Sequence, residues 1–212
     1  MLQWITDLTT KIECHAAQAG AVYQIASQYY KDVIQKEAVL ANITDKDNIL
    51  CVGGGVCPFS AILFHQLTGA KVTVIDNRMA CIPKARQVID RLGIGGFVRV
   101  LCLDGGSTEA DLSEYTVIHL ALQVSPAEHV FAQIEKQSEP ETRFLVRRPK
   151  KSLGGMYSPL PDPMLANCPY VAHRSRNIGS TLLYVKQERL HEEKADIAVP
   201  VESRPLASTE PA

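Results

Sequence analysis

The chain has 212 residues, 46% of them apolar, and 22 Lys and Arg against 23 Asp and Glu. That length suits one α/β domain plus a small accessory element, and a net charge of −1 gives no electrostatic basis for binding nucleic acid. No run reaches the ~20 apolar residues of a membrane span, no leader pattern opens the chain, and six cysteines without C-x-x-C spacing argue against zinc; a cytoplasmic protein is expected.

Residues 2–41 read as helical. Trp4, Ile5, Leu8, Ile12 and His15 share one face, and Gly20 is a break. A second helix is predicted from Ala21 to Ala41, with Val22, Ile25, Ala26, Tyr29, Val33, Ile34 and Leu40 as its apolar stripe. Residues 1–42 thus form an N-terminal helical element, placed to cap a pocket or to make a homodimer contact. Residues 43–190 form the main domain, and residues 191–212, charged and then rich in Pro and Ser, are expected to be a mobile tail.

The densest pattern is NILCVGGGVCPFSAILFHQLTGAKVTVID, from Asn48 to Asp76. Asn48–Val52 is a short apolar strand, and Gly53, Gly54 and Gly55 then omit three side chains in succession. Pro58 suits the first turn of a helix, where its missing N–H costs nothing. Ser60–Thr68 carries that helix, Gly69 ends it, and Lys71–Ile75 is a second strand with Asp76 at its C-terminal end. This is the first half of a nucleotide-binding βαβ unit, with an acid placed to accept ribose hydroxyls.

Alternation continues downstream. Arg78–Leu92 is a helix with Ile82, Ala85, Val88, Ile89 and Leu92 on one side, and Phe97–Leu103 is a third strand followed by Asp104, Gly105 and Gly106. Gly105–Ser113 is a polar loop or short helix. Tyr115–Ala121 is a fourth strand, in which His119 reads as a satisfied core histidine, with Leu122, Gln123 and Val124 at its ligand-side end. Pro126–Gln137 is a helix and Arg143–Val146 a fifth strand. Arg147, Arg148, Lys150 and Lys151 read as a solvated loop, or as a device for recognising a carboxylate or phosphate on an acceptor. Pro149–Pro169 is a long irregular stretch with five prolines and Tyr157, read as an acceptor-side lid. Tyr170–Asn177 and Ser180–Lys186 close the domain as an antiparallel pair around Gly179. Cys51 and Cys102 are expected to be small buried hydrophobes, and Cys57 to pack in the glycine turn.

Two ligand classes compete for the turn. A dinucleotide wants G-x-G-x-x-G, but position 58 is Pro58, so the third glycine is absent. S-adenosylmethionine carries no phosphate and needs room for its amino-acid end, an acid for its ribose and a polar residue for its adenine. The expected set is Gly53, Gly54, Gly55 and Pro58 at the turn, and Asp76, Asn77 and Arg78 at the ribose. Asp104 and Gly105 would meet the adenine, with Ala121 and Gln123 beside the transferred group. S-adenosylmethionine is therefore the expected cofactor.

From about Lys36 to Leu160 the chain resembles nicotianamine synthase-like proteins, a branch of the class I S-adenosylmethionine-dependent methyltransferase fold. The matching pieces are VGGGVCPFSAILFHQLTGAKVTVID, KARQVIDRLGI, VRVLCLDG and RRPKKSLGGMYSPL. Gly53, Gly54, Gly55 and Pro58 match the family's Gly-Gly-Gly-x-x-Pro turn, and Cys51 stands where the usual methyltransferase turn has an acid. The resemblance implies a three-layer Rossmann-like α/β fold with a mostly parallel seven-stranded sheet. It also implies transfer of the aminocarboxypropyl group of S-adenosylmethionine to an amine on a small-molecule, carboxylate- or amine-bearing acceptor. Methyl transfer to a small molecule and a non-catalytic cofactor-binding module stay open as alternatives. The family places a tyrosine and a glutamate ahead of the nucleotide domain. Tyr29 and Tyr30 stand at the tyrosine's distance, and the nearest upstream glutamate is Glu13, in a shorter N-terminal region. Tyr30 and Tyr157 are the candidate catalytic residues, suited to orienting the amine because a phenol with pKa near ~10 is a poor base at neutral pH.

Overall fold

The computed structural model describes residues 20–107, 111–160 and 165–188. Helix α1 spans Gly20–Leu40, and the sheet begins with β1, Asn48–Val52. There follow α2 (Phe59–Thr68), β2 (Lys71–Asp76), a single 3-10 turn running into α3 (Ile82–Arg91), and β3 (Val98–Cys102). After these come β4 (Val117–Leu120), α4 (Ala127–Gln137), β5 (Arg143–Pro149), β6 (Tyr170–Ala172) and β7 (Ile178–Val185).

The seven strands lie in the order β3-β2-β1-β4-β5-β7-β6. The first five are parallel, and β7 runs antiparallel to both β5 and β6. Period-2 alternation sends successive side chains of each strand to opposite faces. Ile49 and Cys51 face α1, α2 and α3, packing with Ile34, Phe64, Val74 and Ile89. Leu50 and Val52 face α4, packing with Phe131, Ile134, Phe144 and Ile118. These two cores on either side of one sheet make the expected three layers. From β1 the chain winds outward through β2 and β3 on one side and reaches β4 on the other. The carboxyl ends of β1 and β4 therefore flank the switch point where open α/β sheets hold ligands.

The local expectations fare differently by element. The βαβ unit from Asn48 to Asp76 forms as read, and Gly69 closes α2 in the left-handed region at φ 78°. Strands three and four are shorter than predicted, and β5 is longer, running to Pro149 because β7 pairs with it along its whole length. That extension corrects the reading of Arg147 as part of a solvated loop: it lies within β5 and is 5% exposed. Cys102 is exposed rather than buried, since β3 is the outermost strand and presents Arg99 and Leu101 to solvent beside it. Lys151–Met156 forms a 3-10 turn inside the stretch read as irregular. The predicted stripe of Trp4, Ile5, Leu8, Ile12 and His15 and the tail from residue 191 lie outside the described residues.

No helix among the described residues is long and apolar enough to cross a membrane.

Candidate functional site

At the carboxyl end of β1 the backbone turns through Gly53 and Gly55, whose φ angles of 85° and 62° are ones glycine adopts without penalty. Gly54 meets a different constraint: a Cβ there would lie 2.1 Å from Val74 Cγ1, inside the packed β2 side chain. Gly54→Ala is expected to cost about 1–3 kcal/mol by overpacking, read as a lower urea midpoint at unchanged slope.

The turn holds Asp76 directly. The Gly55 N–H donates to Asp76 Oδ2 at 2.7 Å, and the Arg78 N–H and Nε donate to Oδ1 at 3.0 and 3.2 Å. Asp76 is 5% exposed, whereas the Arg78 side chain is 52% exposed. The carboxylate is thus oriented by backbone before any ligand arrives, and the guanidinium is the partner that faces solvent. Arg78 Nη2 also donates to Oδ2, at 3.4 Å, so the roughly four acceptor sites of the carboxylate are all engaged and a ligand hydroxyl would take the place of the exposed guanidinium.

A cleft of about 300 Å³ opens here at the sheet's carboxyl edge. Gly53, Gly54, Gly55, Asp76, Asn77, Arg78, Asp104, Gly105 and Gln123 all line it. Asp104 Oδ1 accepts the Gly106 N–H at 2.9 Å, which sets the loop after β3. Gly105 packs so tightly that a Cβ would come within 3.1 Å of both Val52 and Val130. Pro58 and Ala121 do not line this cleft. They line a smaller adjoining cavity that shares Gly53, Gly54 and Gln123 with it and has Tyr30 in its wall.

Tyr30 stacks on Phe59 with ring centroids 5.6 Å apart, and the Arg147 guanidinium carbon lies 6.0 Å from its ring centre. Tyr157 lines neither cavity, so the structure does not bring the two candidate tyrosines together at a reacting centre. Both pack against the small apolar cluster of Val33, Leu122 and Ile178. Tyr29 turns away: its hydroxyl accepts the Arg176 N–H at 2.5 Å and donates to Asn177 Oδ1 at 3.3 Å.

Three residues of this region were missed by the sequence reading or misjudged. Glu37 of α1 is fully buried and accepts two hydrogen bonds from Arg147, from Nε at 2.8 Å and Nη2 at 2.9 Å. Thr181 donates to Glu37 Oε1 at 2.6 Å, and the His173 Nε2 lies 2.8 Å from the Thr181 hydroxyl. Burial alone would raise the Glu37 carboxyl, but Arg147 and the bonds from Arg147 and Thr181 hold it below its ordinary value. Burial likewise opposes the charge on Arg147, and Glu37 outweighs it, so the guanidinium titrates above its usual range.

His119 is buried as expected, at 1% exposure, but it is not satisfied: neither ring nitrogen has a hydrogen-bond partner among the described residues. Burial, reinforced by the Arg147 charge, pushes its pKa down to about 3, so the imidazole is neutral at pH 7. Its Nε2 stands 3.7 Å from Glu37 Oε2. Burial also raises the Cys51 thiol, which stays protonated. The signal for Glu37 and Arg147 was in the periodicities. Glu37 falls on the Val33–Ile34–Ala41 stripe of α1, and Arg147 follows Leu145 on the same face of β5.

No protein-family model and no curated protein matches the chain. Solved structures match it. A glutamate-to-glutamine mutant of MtNAS in complex with S-adenosylmethionine superposes with a TM-score of 0.73 at 22% identity, over 88% of this chain and 76% of that one. MtNAS in complex with MTA and tNA gives 0.72 at 23% identity, over 86% and 73%. An RNA methyltransferase from Salinibacter ruber in complex with S-adenosyl-L-homocysteine gives 0.57 at 20% identity, over 76% and 95%. At these identities the likeness is one of architecture, and the strand order agrees with it: the chain has the Rossmann-like α/β fold of the class I S-adenosylmethionine-dependent methyltransferases.

Proposed function

We propose that the protein is an S-adenosylmethionine-dependent transferase acting on a small-molecule acceptor, with aminocarboxypropyl transfer to an amine as its reaction. The observation that carries this is the Asp76 carboxylate, fixed by the Gly55 N–H at 2.7 Å on the floor of a cleft of about 300 Å³. Clefts of ~300–1,000 Å³ suit cofactor-sized ligands. The residues present fit S-adenosylmethionine: a backbone turn without Cβ atoms, an acid at the end of β2, and Asp104 after β3. The third glycine that a pyrophosphate would call for is replaced by Pro58.

When bound, S-adenosylmethionine supplies a sulfonium whose attached carbons can be attacked by an amine, releasing methylthioadenosine from one route and S-adenosylhomocysteine from the other. The protein's part is positional. Asp76 holds the ribose, Asp104 faces the adenine, and Gly53–Gly55 admit the amino-acid end. Gln123 lies between the two cavities and offers an amide to orient an acceptor without taking its proton. Tyr30, stacked on Phe59, lines the smaller of the two cavities. The MtNAS structures, one with S-adenosylmethionine and one with MTA and tNA, support this choice over methyl transfer.

Calorimetric titration with S-adenosylmethionine, methylthioadenosine, S-adenosylhomocysteine and NAD tests the reading. Methylthioadenosine bound more tightly than S-adenosylhomocysteine supports aminocarboxypropyl transfer, and the reverse order supports methyl transfer. Binding of NAD alone overturns both. Tyr30→Phe is expected to leave S-adenosylmethionine affinity within about twofold and to slow methylthioadenosine release by about tenfold, the worth of one hydrogen bond at ~1.4 kcal/mol. Equal rates for the two proteins would remove Tyr30 from the chemistry.

A further inference from the structure

The segment Leu122–Ser125, which leads from β4 to α4, is a wall common to both cavities. Leu122 and Gln123 line the smaller cavity, and Gln123, Val124 and Ser125 line the nucleoside cleft. Val124 also packs against the glycine turn, since a Cβ on Gly53 would lie 3.0 Å from its Cγ2. A shift of this segment would therefore alter both cavities and the turn between them.

Its own backbone holds it sparsely. From Leu122 to Ala127, two backbone N–H groups have hydrogen-bond partners among the described residues: Val124, on Ala121 O at 3.2 Å, and Ala127, on the Ser158 hydroxyl at 2.8 Å. Ala127 opens α4, where first-turn N–H groups have no intrahelical partner, and Pro126 before it supplies no side-chain cap. Ser158 thus caps the helix from 31 positions away. Its neighbours grip the same region. Tyr157 packs against the cluster of Val33, Leu122 and Ile178. Leu160 packs against the core to which Val124 and Val130 belong. Pro159 between the last two anchors has its φ locked by its ring. None of these four residues lines either cavity.

We propose that Tyr157–Leu160 is a strap that positions the Leu122–Ser125 wall, with Ser158 as its latch on α4. The inference rests on the transferase reading above and adds to it positioning residues that act through the wall. Tyr157, expected at a reacting centre, acts from behind it.

Calorimetry with methylthioadenosine on variants of the intact protein tests this. Ser158→Ala removes the acceptor of the Ala127 N–H. It is expected to weaken binding by about fivefold or more, because loss of a cap lowers the fraction of protein whose wall is in its binding arrangement. Ser158→Thr keeps the hydroxyl and is expected to bind within about twofold of the parent. Lys186→Met controls for mere helix stability. Lys186 Nζ donates to Glu135 O at 2.7 Å and to Ser138 O. These lie at the other end of α4, about 16 Å from Ala127. That variant loosens the same helix and leaves the wall alone, so its affinity is expected within about twofold of the parent. Hydrogen exchange of residues 122–127, followed without ligand, is expected to quicken by about fivefold or more in Ser158→Ala and to stay unchanged in Lys186→Met. Ser158→Ala binding within about twofold of the parent, or Lys186→Met weakened as much as Ser158→Ala, overturns the strap. A parent protein that binds neither methylthioadenosine nor S-adenosylmethionine overturns the transferase reading instead. The strap is then decided by exchange: quickening in Ser158→Ala alone upholds it, and equal rates in Ser158→Ala and the parent overturn it. Should Ser158→Ala fold poorly, Tyr157→Ala, which removes the packing on the Leu122 cluster, is expected to show the same weaker binding and faster exchange, and parent-like values in it overturn the proposal.

Discussion

Asp76→Ala is expected to weaken S-adenosylmethionine binding by at least about a hundredfold. Two effects add. Hydrogen bonds to a charged group contribute ~1.5–3 kcal/mol each, so loss of the acceptor for two ribose hydroxyls removes about 3–6 kcal/mol. The variant also frees the Gly55 N–H, which donates to Asp76 Oδ2 at 2.7 Å and fixes the outward end of the glycine turn. Asp76→Asn separates these effects. Its amide oxygen can still accept from Gly55, so the turn is retained, but the charge and one acceptor are gone, and an intermediate loss is expected. Methylthioadenosine serves as well as S-adenosylmethionine for the measurement, because it keeps the ribose and omits the amino-acid end. Affinity in Asp76→Ala within about threefold of the parent would sink the assignment of the cleft, since even one lost hydrogen bond to a charged group predicts more. Fold integrity is checked in parallel from the urea midpoint, since Asp76 lies at the sheet edge and carries no core packing of its own.

How much of this site was legible beforehand depends on the range of the interactions involved. The unit from Asn48 to Asp76 could be read because each of its signals is local: an apolar run, three glycines, a helix-starting proline, a β-branched strand and an acid. Nearest-neighbour chemistry dictates a strand, a turn and a helix there, and the parallel pairing of β1 with β2 follows from the crossover. The acids at 76 and 104 reach one cleft because β2 and β3 are adjacent and parallel. The adjoining cavity was not legible. Arg147 in its wall is paired with Glu37 across 110 positions, and a charged residue on an apolar stripe ordinarily marks an edge of that stripe. Only the pairing of α1 with β5 turns two separate exceptions into one buried ion pair. The extent of β5 depended on the same long-range order, because β7, which lies after it in sequence, carries the strand on to Pro149. Cys102 failed for a related reason: a strand's position at the sheet's edge is a property of topology, and residue type does not reveal it. His119 was read correctly as buried, but whether a buried histidine finds partners depends on side chains that surround it from other elements.

The same ion pair is expected to dominate the response of stability to substitution and acid. Glu37→Ala leaves Arg147 buried and unpaired and also removes the acceptor of the Thr181 hydroxyl. Breaking a buried pair in this way costs about 3–5 kcal/mol, whereas replacing both partners with apolar groups is close to neutral. Glu37→Ala should therefore lower the Tm by roughly 6–20 °C for a chain of this size. The pair Glu37→Met with Arg147→Met should recover most of that loss. The pH dependence has a definite sign. The Glu37 carboxyl titrates below its ordinary value in the folded protein. Its contribution is therefore fully present above the unfolded carboxylate pKa of ~4.3 and is lost as pH falls through the lower folded value. His119 acts over a higher window. Its folded pKa of about 3 lies below the unfolded value, so the unfolded chain takes up a proton that the folded one refuses. Stability from His119 is present above ~6.5 and declines steadily as pH falls towards the folded value. Urea midpoints measured from neutral pH down to ~3 should thus fall in two stages in the parent protein. His119→Phe should flatten the upper stage, and the Glu37–Arg147 pair of methionines should flatten the lower one. A double variant that stays as unstable as Glu37→Ala at neutral pH would show that the energy lies in something other than the uncompensated charge.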